Sequence, residues 1–150
     1  MKKIITTIAL VLTLTSFGQE TAVKWLTNLE EAKKISKKEH KPILLLFTGS
    51  DWCAPCKALE ENVFTTERFT YYAANLVLVK VDIPRAIDII SKKQLKYNKK
   101  LLKKYNKEEK FYYLLALNHK GQKKATMHGY YMDYDYYFRF FDKMIREYKK

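Results

Sequence analysis

Cys53 and Cys56 are the only cysteines of the chain, and two residues separate them in the run Trp52-Cys53-Ala54-Pro55-Cys56. A disulfide between such near neighbours closes too small a loop to staple a fold, because stabilisation grows with loop length. A zinc site needs four ligands, and His40, His119 and His128 are isolated rather than spaced as ligand pairs. A c-type haem attachment needs histidine directly after the second cysteine, and Lys57 stands there. The pattern points instead to thiol–disulfide exchange. In that chemistry Cys53 attacks as the thiolate and Cys56 resolves the mixed disulfide.

The flanking sequence places the pair where this chemistry works. Ile43 to Phe47 is a continuous apolar run of strand length, suited to a central strand buried on both faces. Thr48-Gly49-Ser50-Asp51 breaks it, and a helix is expected from about Cys53 to Asn62, with Leu59 and Val63 facing inward. Cys53 then sits at a helix start, where unpaired N–H groups and the helix dipole favour negative charge. Cys56 lies one turn further in and is expected to be the less exposed. Pro55 is acceptable in a first helical turn, where its missing N–H costs no hydrogen bond. Trp52 can shield the site and offer a flat contact surface.

The remaining elements follow from apolar spacing and turn signals. A helix is expected over Trp25 to Glu39, capped by Thr27 or Asn28, with Trp25, Leu29, Ala32 and Ile35 as its apolar stripe. Thr65-Thr66-Glu67 starts another, with Phe69, Tyr72 and Ala73 inward. A strand covers 76–82, and a lysine-heavy helical region 85–106, broken near Ser91, takes Ile87, Ile90, Leu95, Leu101 and Leu102 as its apolar side. Strands over 111–117 and 122–128 flank the turn Asn118-His119-Lys120-Gly121. A last helix, capped by Asp133 or Asp135, runs to about Tyr148. It buries Tyr134, Phe138, Phe141, Ile145 and Tyr148 and leaves Tyr136, Tyr137 and Phe140 facing outward. A parallel strand pair with a helical crossover, then a hairpin and a helix, makes an α/β sandwich.

The chain of 150 residues suits one domain, and its 47% hydrophobic content can fill a core without disulfides. Lys2 and Lys3, the apolar run Ile4 to Leu14 and the small residues of Ser16-Phe17-Gly18 form a secretory signal pattern. Residues 1–18 are therefore expected to be a signal peptide, and 19–150 the exported domain, periplasmic or secreted, with no membrane span after cleavage. The formal charge is +13, and the excess is lysine, since arginine occurs only at 68, 85, 139 and 146. Recognition of bases and phosphates favours arginine forks, so no nucleic-acid partner is expected.

The segment from Lys41 to Lys57, with Glu61-Asn62-Val63-Phe64 and the strand ending Val81-Asp82, resembles the thioredoxin superfamily, most nearly exported thioredoxin-like proteins of Bacteroidetes-type bacteria. The resemblance implies a thioredoxin-like three-layer sandwich, with a central mixed sheet of about four strands flanked by helices. It implies Cys53 as nucleophile and Cys56 as resolving thiol. It also implies protein thiols or disulfides as substrates, with a separate electron donor or acceptor and no cofactor or metal. Two departures shape the site. Where the family opens the strand facing the dithiol with a cis-proline, this chain has Tyr112, for which a trans peptide is expected, because a non-proline cis bond costs about 3–4 kcal/mol. Where many thioredoxins carry a buried acid, six residues before the first cysteine, it has Phe47. Proton transfer from Cys56 then falls to water, Asp51 or Glu60. These departures, with the aromatic-rich end, also motivate an alternative: a non-catalytic protein-binding module on the same fold.

Overall fold

The computed structural model describes residues 23–148. The expected signal peptide, residues 1–18, lies outside them. In chain order the elements are α1 (Leu29–Glu39), β1 (Ile43–Thr48), α2 (Ala54–Leu59), a π-helical turn (Glu60–Phe64), α3 (Glu67–Ala73), β2 (Val77–Asp82), α4 (Lys92–Tyr105), β3 (Tyr113–Leu117), β4 (Lys123–Met127) and α5 (Asp135–Tyr148).

β1 has no polar face to give to water, so it takes the inside of the sheet. The strand order is β2-β1-β3-β4. β1 runs parallel to β2, while the β1–β3 and β3–β4 pairs are antiparallel. All six residues of β1 are buried. Leu44 and Leu46 point into one core with Leu59, Val63, Phe69 and the aromatic residues of α5. Ile43, Leu45 and Phe47 point into the other, with Leu29 and Ala32 of α1 and Leu101 and Leu102 of α4. Helices thus cover both faces of a four-stranded mixed sheet, the three-layer arrangement expected from the sequence.

Local signals set the helix starts. Asn28 caps α1 by accepting from the N–H groups of Glu30 and Glu31 at 2.9 and 3.2 Å. Thr66 caps α3 and Ser91 caps α4 in the same way. Trp25 is not part of the first helix. The segment before Asn28 runs beside β2 instead, where the Leu26 N–H donates to Leu78 O and Leu26 O accepts from Lys80 N–H, both at 2.9 Å. Backbone pairing to an otherwise open sheet edge outweighs one more helical turn. Trp25 accordingly packs in the opposite core, edge-on to Phe64 at 5.1 Å.

Two further expectations are corrected. Residues 85–90 are not helical, and of the expected apolar side of α4 Ile87 is exposed and Ile90 only half-buried. In α5, Tyr136 faces water, but Tyr137 and Phe140 are buried. Burial of Tyr137 is made possible by its hydroxyl, which donates to Gly129 O at 3.1 Å and accepts from the Tyr131 N–H at 3.2 Å. A satisfied phenol can enter a core that an unpaired one cannot. The aromatic run therefore feeds the core more deeply than one helical face suggests.

Tyr137→Phe should lower stability by about 1–2 kcal/mol, because it leaves the Gly129 carbonyl and the Tyr131 N–H without their partner. Urea unfolding measures this. An unchanged midpoint would show that the hydroxyl does not hold the 129–131 loop.

Candidate active site at the carboxyl end of the central strands

The dithiol sits where β1 leaves the sheet. The Gly49 carbonyl accepts from the N–H groups of Trp52 and Cys53 at 3.2 and 2.9 Å, which closes the turn out of β1. Cys53 is the N-cap of α2, with extended backbone, and its sulfur accepts from the Cys56 N–H at 3.3 Å. Pro55 lies in the first turn of α2, as its missing donor permits. Cys53 and Cys56 are joined as a disulfide with a Cα–Cα separation of 5.2 Å. Both are almost fully buried, at 4% and 6% exposure. The expected contrast, with Cys56 the less exposed, is absent. The bonded pair is held on the cap and first turn of α2, so the two cysteines are buried to nearly the same degree.

Trp52 is held by four groups. Its indole Nε1–H donates to Ile83 O at 2.9 Å. Phe111 stands edge-on to it at 4.5 Å, and the Arg85 guanidinium lies 4.6 Å from the ring centroid. Gly49 gives the ring its room, since a Cβ there would overlap the indole. The tryptophan is thus fixed between the turn after β1, the loop after β2 and the segment before β3.

Asp51 turns away from proton chemistry. Its carboxylate accepts from the N–H groups of Arg85 at 3.0 and 3.1 Å and of Ala86 at 2.9 Å. The Ala86 N–H holds the carboxyl below its ordinary range; desolvation opposes this, and the Arg85 N–H adds to it. Glu60 is likewise engaged, in a 2.9 Å ion pair with Lys80. Phe47, in the place of the family's buried acid, is fully buried and stacks on Tyr113.

The Phe111–Tyr112 bond is trans, as is every peptide bond among the described residues. Tyr112 instead takes a left-handed backbone, φ 48°, a conformation that costs a bulky residue roughly 1–2 kcal/mol. Its ring stacks on His128 at 5.7 Å and meets Tyr130 edge-on at 6.5 Å. So the aromatic that reaches the Trp52 side of the site is Phe111, and Tyr112 is turned toward β4 and the loop after it.

Sequence reasoning passed over the polar side chains that tie this end together. Asp82 at the end of β2 accepts from the Ser50 N–H at 2.9 Å and the Ser50 hydroxyl at 2.6 Å. Buried Asn98 of α4 donates to Asp82 O at 2.7 Å. Buried Asn106 accepts from the Lys110 N–H at 2.9 Å and donates to Lys110 O, setting the approach to Phe111. One signal was present: both asparagines share the helix face of Leu101 and Leu102, where an unpaired amide would be costly. Among the described residues no group of histidine, cysteine and acidic side chains could hold a metal ion.

Comparison with known proteins agrees with this geometry. Residues 24–141 match a family described as thioredoxin-like. The disulfide bond reductase DsbH of Chlamydia pneumoniae is 43% identical over 56 residues, 37% of this chain and 34% of that protein. The thiol:disulfide interchange protein DsbD of Campylobacter jejuni is 41% identical over 59 residues, 39% of this chain and 10% of that protein. The chain therefore spans about a third and a tenth of the lengths of these two relatives. Among solved structures, a DsbH oxidoreductase superposes with a TM-score of 0.72 at 30% identity, covering 82% of this chain and 84% of that one. A disulphide isomerase from Xylella fastidiosa Temecula1 superposes at 0.60 with 23% identity, over 89% and 98% of the two chains, a likeness of fold.

Two outcomes follow from the clamps. Because the Asp51 carboxyl is depressed in the folded chain, its stabilisation is complete above about pH 4 and is lost as pH falls through the folded value. Asp51→Asn should remove that part of the acid dependence of Tm below about pH 4; a profile identical to the parent would contradict the clamp. Gly49→Ala should expel the indole from its slot and shift Trp52 emission to the red. Unchanged emission would show that the slot is not tight.

Proposed function

The chain belongs to the thioredoxin-like family, and on that premise we propose that it is an exported thiol–disulfide oxidoreductase that reduces disulfides of protein substrates through Cys53 and Cys56. The observation that carries the proposal is the Cys53–Cys56 pair at the N-cap and first turn of α2, at the carboxyl ends of parallel β1 and β2. In the reduced form the Cys53 thiolate attacks a substrate disulfide, forming a mixed disulfide and releasing one substrate thiolate. The Cys56 thiolate then attacks the Cys53 sulfur, closes the Cys53–Cys56 bond and releases the second. Two electrons pass to the substrate, and a thiol donor must restore the pair. With Phe47 apolar, Asp51 bound to backbone and Glu60 paired with Lys80, solvent supplies the protons that the leaving thiolates take up.

The reductive direction has physical support as well as the printed name of the chlamydial relative. A dithiol becomes strongly oxidising when its reduced form is stabilised. Ala54 and Pro55, between the cysteines, bring no charge to a Cys53 thiolate, and Lys57 is turned to donate to Asp51 O at 3.3 Å. In this reading Trp52 and Phe111 form the rim on which the substrate rests, and Tyr112 sets the backbone of the facing segment. Residues 1–18 act as the signal peptide, and the domain works in the periplasm or as a secreted protein, as in the exported Bacteroidetes-type proteins it resembles.

Reduction of insulin disulfides with a small dithiol as donor tests this. Cys53→Ser should fall to the uncatalysed rate, and Cys56→Ser should accumulate a mixed disulfide with insulin through Cys53. Wild-type turnover in Cys53→Ser, or a dithiol inert in both assays, would favour a non-catalytic binding module.

A further inference from the structure

Lys103 and Lys104 suit the last turn of α4, and Lys104 lies over the Tyr105 ring, but Lys92, Lys96, Lys99 and Lys100 have no evident role in the fold or in disulfide exchange. Lys92, Lys96, Lys99, Lys100 and Lys103 line one shallow groove with Leu95. At 100° per residue this row lies opposite the buried Asn98, Leu101 and Leu102. The helix carries no acidic residue in its first turn, where the macrodipole would favour one. Like charges three and four residues apart repel each other along its whole length. Among the described residues none of these lysines forms an ion pair. Folding stability would be served by mixing in glutamates, so the uniform charge is spent on something outside the chain.

The loop leading into α4 adds an apolar component. Ile87 is 84% exposed and Ile89 45%, and Ile89 precedes Lys92 by three residues. We propose that the lysine face of α4 and the Ile87–Ile89 tip together dock the domain on an anionic phospholipid surface. A row of lysines running about 16 Å along a helix is drawn to a diffuse negative surface as a set of point charges, without the fork geometry that arginine brings to discrete phosphates. Two separate aliphatic tips at one end can enter the acyl boundary, as apolar side chains of interfacial helices do. A nucleic acid would offer the isoleucines nothing. The same loop is bound by Asp51 at Arg85 and Ala86 and by Trp52 at Ile83. Docking there would bring the dithiol end of the sheet close to the bilayer and to disulfides carried on membrane proteins. The inference goes beyond the redox reading and does not depend on it.

Vesicle sedimentation of the full chain tests it, with the readout taken as partitioning onto phosphatidylglycerol-containing vesicles divided by partitioning onto pure phosphatidylcholine. Lys2 and Lys3 also favour anionic vesicles, but they are the same in the parent and in every variant, so the comparison among these isolates the α4 face. The parent ratio should be at least about tenfold at low salt and collapse at high salt. The variant Lys96→Gln, Lys99→Gln, Lys103→Gln should lower it at least about fivefold. The charge-matched control Lys34→Gln, Lys37→Gln, Lys38→Gln, on the exposed face of α1, should stay within about twofold of the parent. Ile87→Ser with Ile89→Ser should weaken partitioning onto the anionic vesicles. The urea-unfolding midpoint of both lysine variants should match the parent, which reads folding without reference to the redox assignment; insulin reduction is measured beside it and reads that assignment alone. A parent ratio near one, or an equal loss in the α1 control, overturns the proposal. Retention on immobilised polyglutamate with a vesicle ratio near one would assign the lysines to an acidic protein and overturn it as well.

Discussion

Everything in the molecule hangs on a strand with no face to spare. Ile43 to Thr48 is buried at every position, so it can lie only in the middle of a sheet covered on both sides. That one constraint creates both cores, because alternate residues of β1 enter each. It also fixes the dithiol. The chain leaves β1 at Gly49 with its direction set by pairing to β2 and β3, and Cys53 follows four residues later on the cap of α2. A site built on the end of a doubly buried strand inherits the rigidity of the core, which is what a reaction requiring alignment of three sulfurs needs.

Around that fixed point the polar groups act as ties between loops. Asp51 holds the loop after β2, Asp82 holds the turn after β1, Asn98 holds the end of β2, and Asn106 holds the segment before β3. Asn98 and Asn106 tie these segments to α4, Asp82 ties one to β2, and Asp51 ties two loops to each other. Trp52 touches three of these segments and so senses their relative position. The carboxylates that could have moved protons are instead used to hold backbone or to pair with Lys80. The site is thereby mechanically well braced and chemically simple: two sulfurs, a helix start and an apolar bed.

Elements governed by local chemistry were legible in the sequence. The apolar runs of β1 and β2, the hairpin, the cap at Asn28 and the helix start at Thr65-Thr66-Glu67 all stand where residue type and spacing put them, whereas Ser91, read as a break within a longer helix, is the cap of α4. The pair Cys53 and Cys56, with Trp52 and Pro55, was legible for the same reason. What escaped depended on distant partners. Trp25 lies at helical spacing from Leu29, yet edge pairing with β2 carries it to the other core. Tyr137 is buried because a loop eight residues before it supplies a carbonyl. Phe111 reaches Trp52 because Tyr112 takes a left-handed turn, and nothing local to a Tyr-Tyr pair announces that. Residues 85–90 look like a helix by their isoleucines, but Ile87 and Ile89 lie exposed, so no buried apolar face holds a turn there.

The central claim is that this braced pair is a working redox couple and not an inert crosslink. Equilibration of the folded protein in glutathione buffers of graded ratio, with the Cys53 and Cys56 thiols counted by alkylation and mass, tests it most directly. The account predicts one reversible two-electron transition, reached identically from the reduced and the oxidised side, with tertiary structure retained throughout. A disulfide that opens only when the domain unfolds, or that does not re-form, would contradict it.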